Sequence, residues 1–422
     1  MEVINPIVRR WKSEAAEDPE GFWARVAQQS LWFRQWDRVF EWEPPTFRWF
    51  VGARTNLSYN CLDHHVARGW GGHAALVYEN EMGERRVYTY AQLLGAVKQA
   101  AAALRGMGIG KGDRVAIYMP TCPEAIVLML AATRIGAIHL VVFAGFGAGA
   151  LGDRIQMAGA RAVFATDVTW RKGKEVRLKE IVDAALETAG RSVERVVVLR
   201  RTDATAPMRP GRDTWWEDFL RLAEGQDTAH EIMEANEPAY ILATSGTTAK
   251  PKLAVHTHGG YQVHIRSMGE WVFGMKPTDV WWSTSDIGWV VGHSYIVYAP
   301  LLTGCTTIAY EGALDQPGPE TFYRIVQDNQ VSGIFTSPTA VRLLMRYGSA
   351  PARGFDLGSL ERVVCAGEVL NPPAWEWLQK EVLGDRIPVI DHMWQTETGG
   401  PIVGNPYGLG LLPIKPGSSG LP

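Results

Sequence analysis

From about residue 85 onward, short apolar runs alternate with longer amphipathic segments. Apolar, β-branched runs bounded by turn residues predict buried strands, and apolar residues three and four positions apart predict helices. The predicted strands are Arg114–Pro120, His139–Phe143, Arg161–Thr166, Arg195–Arg200, Ala239–Ala243, Val280–Ser283, Thr306–Tyr310, Gly333–Ser337, Arg362–Ala366 and Pro388–Asp391. The predicted helices are a segment with Thr121 as its N-cap, Ala150–Ala160, Leu178–Ala189, His256–Trp271, Thr321–Gln330, Pro338–Tyr347 and Asn371–Gly384. Strands that alternate with helices favour parallel sheets covered on both faces, so the predicted fold class is α/β.

Two such series are separated by residues 201–225, a polar stretch with prolines and charges that we interpret as a linker or surface excursion. The chain is too long for a single core, and the two series predict two doubly wound, mostly parallel-sheet subdomains at residues 71–225 and 226–400. Residues 1–70 are rich in Trp and carry Pro44-Pro45 as a break. We expect an irregular, aromatic-rich segment there that wraps the rest of the chain.

The composition is ordinary for a soluble globular protein, with 46% apolar and 21% charged residues. A net charge of −3 without a strongly basic stretch creates no positive surface that would bind nucleic acid, so no nucleic-acid partner is expected. The four cysteines are far apart and show no C-x-x-C pairing, which argues against a zinc site or a disulfide framework and favours a reducing, cytoplasmic location. The apolar stretch from Ala125 to Ala150 is broken by Arg134, His139 and several glycines. We interpret it as a buried helix and strand rather than a membrane span.

The most informative segment runs from Tyr240 to Lys252 and reads YILATSGTTAKPK. A short apolar strand leads into hydroxyl side chains around Gly246, followed by two lysines. Hydroxyls, backbone N–H groups and positive charge in one tight loop form a concave set of donors suited to polyphosphate. The loop is not a Walker A loop, because G-x-x-x-x-G-K-[ST] is absent. The alternative for such a cluster is an exposed polar turn.

Three further motifs follow predicted strands or open a helix. Asp391-His-Met-Trp-Gln-Thr-Glu397-Thr-Gly-Gly sits at the carboxyl end of a predicted strand, where ligands bind in open α/β folds. A carboxylate such as Glu397 beside a phosphate loop is a natural Mg²⁺ ligand. Cys365-Ala-Gly-Glu-Val-Leu-Asn-Pro also ends a strand, and its glycine lets a flat ring approach the backbone. Trp289-Val-Val-Gly-His-Ser-Tyr opens an apolar helix.

Together, TSGTTAKPK, GWVVGHSY, AGEVLNP and WQTETGG resemble, in order and spacing, the motifs of the adenylate-forming acyl-CoA synthetases (the AMP-binding enzymes). The chain is most similar to the amino-terminal domain of the acetyl-CoA and propionyl-CoA synthetase branch, and the likeness covers nearly its whole length. The resemblance implies that residues 401–422 begin a small β-rich subdomain. The chain closes on turn residues at Pro422, and we expect it to be truncated, with the family's ribose-binding Asp, hinge and carboxy-terminal domain beyond it.

The resemblance also implies a reaction in which a carboxylate, ATP and CoA give acyl-CoA, AMP and diphosphate, with Mg²⁺ bound. It implies that Gln395 and Thr396 contact the nucleotide and its α-phosphate, and that Glu397 binds the metal. The catalytic set by this likeness is Thr244, Lys252, Thr396 and Glu397. The other nucleotide-binding positions are Ser245, Gly246, Thr247, Thr248 and Lys250 for the phosphates, and Gly367, Glu368, Asp391, His392 and Met393 for adenine. In-line attack at phosphorus needs positioning and charge neutralisation rather than a side-chain nucleophile.

For the acyl pocket, the resemblance points to Val290, Val291, Ala366 and Trp394, which could instead be ordinary core residues. In the family, a Trp at the position of Trp394 favours two- or three-carbon acids. Ala366 stands where acetate enzymes usually carry Val, which leaves room for about one extra carbon and keeps propionate beside acetate as a candidate.

Arg171 and Lys174 match a basic cluster for the 3′-phosphate of CoA, and their alternative is a solvated charge run. Ala249 replaces the glycine usual in the phosphate loop, which would cost about 1–2 kcal/mol if that position needs a positive φ. Two other functions stay open at this point. One is an adenylate-forming ligase for a larger or aryl acid, against which Trp394 argues. The other is a non-catalytic nucleotide-binding protein. The oligomeric state is not predicted.

Overall fold

The computed structural model describes residues 4–202, 206–244 and 251–422. Its strands are β1 (Arg38–Glu43), β2 (Thr46–Val51), β3 (Arg54–Thr55), β4 (Ala74–Asn80), β5 (Arg85–Thr89), β6 (Arg114–Tyr118), β7 (Ile138–Val141), β8 (Ala162–Thr166), β9 (Thr169–Arg171), β10 (Lys174–Val176), β11 (Arg195–Leu199), β12 (Asp213–Trp215), β13 (Met233–Glu234), β14 (Pro238–Thr244), β15 (Lys252–Thr257), β16 (Val280–Ser283), β17 (Thr306–Glu311), β18 (Gly333–Thr336), β19 (Arg362–Cys365) and β20 (Val389–Asp391).

The α-helices are α1 (Pro6–Glu17), α2 (Pro19–Ala27), α3 (Leu57–Cys61), α4 (Asp63–His65), α5 (Tyr90–Gly106), α6 (Pro123–Arg134), α7 (Ala148–Ala158), α8 (Leu178–Ala189), α9 (Trp216–Arg221), α10 (His258–Trp271), α11 (Val290–Gly292), α12 (Ala299–Thr303), α13 (Thr321–Asn329), α14 (Pro338–Met345) and α15 (Pro372–Glu376). π-Helical turns extend α4, α11 and α15 at Val66–Trp70, His293–Tyr298 and Trp377–Val382, and a 3₁₀ turn covers Ala350–Gly354.

Two large sheets form the centre of the part of the chain that the structure describes. The first has the order β12-β11-β8-β6-β7-β14-β15, and the second has the order β20-β19-β18-β16-β17-β4-β5. Neighbouring strands are parallel except for the antiparallel edge pairs β14–β15 and β4–β5. The α/β fold with two mostly parallel sheets is therefore confirmed, and each predicted strand is present within a few residues of its expected limits.

Side chains alternate between two apolar cores along each sheet. In β6, Val115 and Ile117 belong to a core that also contains residues of the second sheet, such as Phe335 and Val364, whereas Ala116 faces a separate core against α7 and α8. Another core covers the opposite face of the second sheet. Both faces are thus buried, as parallel sheets require, and only the strand ends are left to carry a site.

Several local predictions were wrong. Residues 201–225 are not only a linker, because they contain β12 at the edge of the first sheet and α9, whose Trp216 and Phe219 are buried. The helix predicted from His256 begins at His258, because the residues before it pair with β14 as strand β15. Thr121 is not a helix N-cap, because α6 begins two residues later and the Thr121 hydroxyl accepts the N–H of Ile287 at 3.2 Å.

The predicted boundary near residue 225 does not separate the two sheets. Strands β4 and β5 lie before the first sheet in sequence but belong to the second sheet, where β4 pairs with β17 and β5 pairs with β4. Strands β14 and β15 lie after the boundary but belong to the first sheet, where β14 pairs with β7 and β15 pairs with β14. The two halves of the chain therefore exchange edge strands, which fixes one sheet against the other. The limits 71–225 and 226–400 stay a prediction.

The first 70 residues are more regular than predicted. They form α1, α2 and the β1–β2 hairpin, whose turn holds Pro44-Pro45. Trp11 and Trp23 pack on Trp271 of α10, with ring centroids 5.0 Å and 6.2 Å apart, and the N–H of Trp49 donates to the Asn236 side chain at 3.0 Å. Aromatic contacts of this kind attach the segment to the second half of the chain.

Residues 401–422 hold isolated β-bridges, Met393–Val403 and Gly404–Leu421, rather than a formed sheet. The stretch from Ala125 to Ala150 is the buried helix α6 followed by strand β7, as expected. Among the described residues, helices with the length and apolarity needed to cross a membrane do not occur.

Candidate functional site

A cavity of about 1360 Å³ opens at the carboxyl ends of strands from both sheets. Thr244 and Glu311 end β14 and β17, and Thr284, Ser337 and Ala366 directly follow β16, β18 and β19, and all five line the cavity. Parallel strands bring their carboxyl ends to one edge, so the residues just after them converge. The cavity is larger than the roughly 300–1,000 Å³ of an ordinary small-molecule site, which leaves room for more than one ligand.

Thr244 and Lys252 lie opposite each other at the ends of the antiparallel strands β14 and β15, and both line the cavity. The Thr244 hydroxyl is buried and has no hydrogen-bond partner among the described residues. Lys252 is exposed and has no acidic side chain within 4.0 Å in the described ranges. A buried donor and a free cation at one point fit an anionic ligand. The predicted loop positions Ser245, Gly246, Thr247, Thr248 and Lys250 lie outside the described residues.

Gln395, Thr396 and Glu397 form a second side of the cavity. The backbone carbonyl oxygen of Thr396 lies 2.8 Å from Nε2 of His256 on β15. Burial lowers the pKa of His256 to about 4, so the ring is neutral at pH 7, and because a carbonyl only accepts, Nε2 carries the proton. The imidazole also stacks on Tyr240 with centroids 4.7 Å apart. The hydrogen bond to Thr396 ties strand β15, which begins at Lys252, to the segment that carries Glu397.

Glu397 is an exposed carboxylate on the cavity wall and has no hydrogen bond or ion pair with any described residue. Residues 4–202, 206–244 and 251–422 contain no cluster of three or more His, Cys, Asp or Glu that could hold a metal ion. Mg²⁺ is commonly held by one or two carboxylates together with substrate phosphates, and one free carboxylate beside an anion-binding wall fits that pattern.

Of the positions predicted to hold adenine, the structure brings Gly367 to the cavity. Its φ of 111° is in the region that favours glycine, so a side chain at this position would strain the backbone. Glu368 is turned away: its carboxylate accepts from Thr339 at 2.5 Å and from Arg342 at 2.6 Å, and these hydrogen bonds lower its pKa.

The side chains of Asp391, His392 and Met393 do not line the cavity either. Asp391 accepts the N–H of Leu370 at 3.1 Å, and burial raises its pKa. His392 is buried between Phe273 and Phe335, at 4.8 and 5.0 Å between centroids, and desolvation lowers its pKa to about 3. Asp391 and His392 are thus buried outside the cavity lining, and Met393 is exposed.

The four residues predicted for an acyl pocket are brought to the same cavity. Val290 and Val291 begin α11, Ala366 follows β19, and Trp394 follows β20, and all four line the cavity. The Trp394 ring packs edge-on against Tyr295 with centroids 5.6 Å apart. This contact holds the indole at the cavity lining.

Arg171 and Lys174, on the β9–β10 hairpin, also line the cavity. The guanidinium of Arg171 lies over the Phe143 ring at 4.6 Å. Neither cation has an acidic side chain within 4.0 Å in the described parts of the chain. They are therefore available to an anion from outside.

The sequence interpretation missed cavity residues at or within three residues of the carboxyl ends of strands, among them Thr169, Asp286, Glu311 and Ser337. Asp286 is half-buried, accepts the N–H of Gly288 at 2.7 Å, and has a pKa raised by desolvation. Glu311 pairs with Arg201 at 2.5 Å. The rule that ligands meet the carboxyl ends of parallel strands, applied to every predicted strand, would have found them.

Comparison with known proteins places this site in a family. The model of the AMP-binding enzyme family matches residues 63–422, and the model of the acetyl-coenzyme A synthetase N-terminus matches residues 8–61. The chain therefore belongs to the AMP-binding enzymes.

Curated relatives named acetyl-coenzyme A synthetase match nearly the whole chain. The relative from Rubrobacter xylanophilus is 46% identical over 410 residues, which is 97% of this chain and 63% of that protein. The relative from Deinococcus radiodurans is 44% identical over 419 residues, which is 98% of this chain and 63% of that protein. That from Pyrobaculum arsenaticum is 43% identical over 424 residues, again 98% and 63%. The chain thus spans somewhat less than two thirds of the length of these relatives.

Proposed function

We propose that the protein is a short-chain acyl-CoA synthetase, which activates acetate or propionate with ATP as an acyl-adenylate and transfers the acyl group to CoA. The observation that carries this proposal is that one cavity is lined by the hydroxyl of Thr244 and the cation of Lys252, by the carboxylate of Glu397, and by the apolar side chain of Trp394. A polyphosphate, a metal and a short acid would each find a matching surface.

In the first step, a carboxylate oxygen attacks the α-phosphorus of ATP, the bond to the β-phosphate oxygen breaks, and diphosphate leaves. Lys252 and the Thr244 hydroxyl would hold the leaving phosphates, and the backbone around Thr396, fixed by His256, would orient the α-phosphate. Mg²⁺ held at Glu397 would neutralise phosphate charge. This chemistry gains from fixed positions and charge, and it needs no side-chain nucleophile.

In the second step, the thiol of CoA attacks the acyl carbon, the mixed anhydride bond breaks, and AMP leaves with the electron pair while the thiol proton goes to solvent. Arg171 and Lys174 would bind a phosphate of CoA. The cavity volume supports room for both the adenylate and the thiol arm.

The size of the acid is the finer part of the proposal. Trp394, packed on Tyr295, lines the same cavity as Val290, Val291 and Ala366, and in this proposal its indole closes the end that holds the acid. One methylene in an apolar pocket changes binding by about 1–3 kcal/mol, so a closed wall discriminates strongly against acids several carbons longer and weakly between two and three carbons. We therefore propose acetate and propionate together.

Carboxylate-dependent exchange of labelled pyrophosphate into ATP tests this function. The proposal predicts exchange that requires Mg²⁺ and acetate or propionate, with hexanoate and benzoate at least tenfold poorer. Exchange that prefers hexanoate or benzoate would favour a ligase for a larger acid. ATP binding without exchange for any acid would favour a non-catalytic nucleotide-binding protein. Reactions without carboxylate give the background, and a cytoplasmic location stays a prediction.

A further inference from the structure

The β9–β10 hairpin, residues 169–176, is a part of the first half of the chain that is held by acidic residues of the second sheet. We call it the basic hairpin, because it carries Arg171, Lys172 and Lys174. Its turn places Lys172 at φ 52° and Gly173 at φ 71°. Two successive residues of this conformation point their N–H groups to the same side, which makes a small concave donor for an anion.

That concavity is filled by the carboxylate of Glu81, which directly follows β4 of the second sheet. Oε1 of Glu81 accepts the N–H of Gly173 at 2.8 Å, and Oε2 accepts the N–H of Lys172 at 3.2 Å. The Glu81 side chain is buried, and its own N–H donates to the carbonyl of Glu311 at 3.1 Å. A carboxylate with both oxygens engaged and a fixed backbone holds the tip of the basic hairpin in one place.

The base of the basic hairpin is attached to the same sheet. The hydroxyl of Thr169 donates to Oε1 of Glu311 at 3.1 Å. Glu311 is fixed in turn by Arg201 at 2.5 Å and by the hydroxyl of Tyr78 at 2.6 Å. The basic hairpin is therefore anchored at two points across the junction of the two sheets.

These anchors leave two of the three cationic side chains of the basic hairpin without an acidic partner. Glu81 binds backbone N–H groups, and Lys172, which also lines the cavity, pairs with Asp315 at 3.5 Å. Arg171 and Lys174 have no acidic partner within 4.0 Å among the residues described, and both line the cavity. The second sheet thus supplies negative charge that fixes the backbone of the basic hairpin without pairing with Arg171 or Lys174.

We propose that Glu81 is a positioning residue for phosphate binding by Arg171 and Lys174, the phosphate being that on the ribose of CoA. This inference rests on the proposed function, which names CoA as the thiol substrate. Glu81 does not contact the phosphate. It fixes the turn at Lys172 and Gly173, and the residues on either side of that turn, Arg171 and Lys174, bind the phosphate.

The direction in which CoA affinity changes when Glu81 is replaced distinguishes a positioning role from a purely electrostatic one. Replacing an acid near a phosphate site by an amide removes a repulsive charge, so Coulomb's law alone predicts tighter phosphate binding. The positioning role predicts the opposite for Glu81→Gln, because an amide has one acceptor oxygen and presents an N–H to one of the two backbone donors. The exposed Glu175, on the same hairpin and paired with Arg177 at 3.4 Å, is the matched control.

Calorimetric titration of the full chain with CoA, 3′-dephospho-CoA and MgATP is the experiment. We expect Glu81→Gln to bind CoA roughly fivefold to tenfold more weakly than wild type, with 3′-dephospho-CoA and MgATP unchanged. We expect Glu175→Gln to bind CoA at least as tightly as wild type. Hydrogen exchange at the Lys172 and Gly173 amides should be faster in Glu81→Gln alone.

Unchanged or tighter CoA binding by Glu81→Gln would overturn the positioning role, as would equal weakening for 3′-dephospho-CoA. Unchanged amide exchange would overturn the anchor itself. A wild-type chain that binds MgATP but not CoA would instead overturn the thiol step of the proposed function, and the phosphate role with it.

Discussion

Nε2 of His256 lies 2.8 Å from the backbone carbonyl oxygen of Thr396, and this contact joins the two segments that flank the phosphate end of the cavity. We expect His256→Leu to weaken MgATP binding about fivefold, because a hydrogen bond of this kind contributes about 1 kcal/mol to the position of Thr396 and Glu397. His256→Gln, which can place an N–H near the same point, should stay within about twofold of wild type. Calorimetric titration with MgATP measures both. Equal weakening in the two variants would show that the ring volume, not the hydrogen bond, matters.

Trp394→Gly should lengthen the acid end of the cavity. The indole packs edge-on against Tyr295 with ring centroids 5.6 Å apart and lines the same cavity as Ala366. We expect the preference of pyrophosphate exchange to shift from acetate and propionate toward five- and six-carbon acids by at least tenfold, since each added methylene gains about 1 kcal/mol in an open apolar pocket. Val369→Ala, at an exposed site outside the cavity lining, is the control. An unchanged acid profile in Trp394→Gly would assign Trp394 to the core.

Glu397→Gln should raise the Mg²⁺ concentration needed for ATP binding. Glu397 is an exposed carboxylate with no partner among the described residues, so its charge is available to a metal. We expect the half-saturating Mg²⁺ concentration to rise at least tenfold, while AMP binding in the absence of Mg²⁺ stays unchanged. A titration of Mg²⁺ at fixed ATP makes the measurement, with Glu376→Gln, a surface carboxylate near Lys380, as the control. An unaltered Mg²⁺ requirement would remove Glu397 from the metal site.

Two fully buried histidines should make the fold sensitive to acid. Desolvation lowers the pKa of His258 and of His293 to about 3, from 6.5. Between these values the unfolded chain binds protons that the folded chain does not, so the free energy of unfolding falls as pH drops below 6.5. At pH 5 each site costs about 2 kcal/mol. Urea denaturation at pH 7 and pH 5 should show this loss.

His258→Gln should make that pH dependence shallower, whereas His73→Gln, at an exposed site, should leave it unchanged. Nδ1 of His258 accepts the N–H of Leu57 at 3.2 Å, so the variant also loses stability at pH 7, and the slope is the quantity to compare. If the free energy of unfolding changes with pH equally in wild type and in His258→Gln, the assignment of part of that pH dependence to His258 is contradicted.

The strands of both sheets could be predicted because buried parallel strands are short, continuous apolar runs, and Val280–Ser283 was located to the residue. Strand β15 was not predicted, because it is a strand only through its antiparallel pairing with β14, in which Lys252 lies opposite Thr244. The local hydrophobic pattern does not reveal that pairing. Exchange of β4 and β14 between the sheets is likewise non-local. No window of sequence contains both partners.

In the candidate site, too, some features could be predicted from local sequence and others depend on residues distant in sequence. The order of the motifs assigned Thr396, Glu397, Val290 and Trp394 to one predicted site, and in the structure all four line one cavity. The reason is that residues following parallel strands converge at one edge of the sheet. Side-chain direction could not be predicted. Glu368 turns to Arg342, and His392 turns into the core against Phe273, because of partners far away in sequence. Glu81 carried no sequence signal, since its role depends on a turn about 90 residues later.

The most direct test of the central claim is calorimetric titration of the chain with stable alkyl esters of AMP, which mimic the acyl-adenylate and require no turnover. The account predicts that the ethyl and propyl esters bind at least tenfold more tightly than AMP, and that the hexyl ester binds no better than AMP. Tighter binding of the hexyl ester, or equal affinity for AMP and all its esters, would contradict an adenylate site for a small carboxylate.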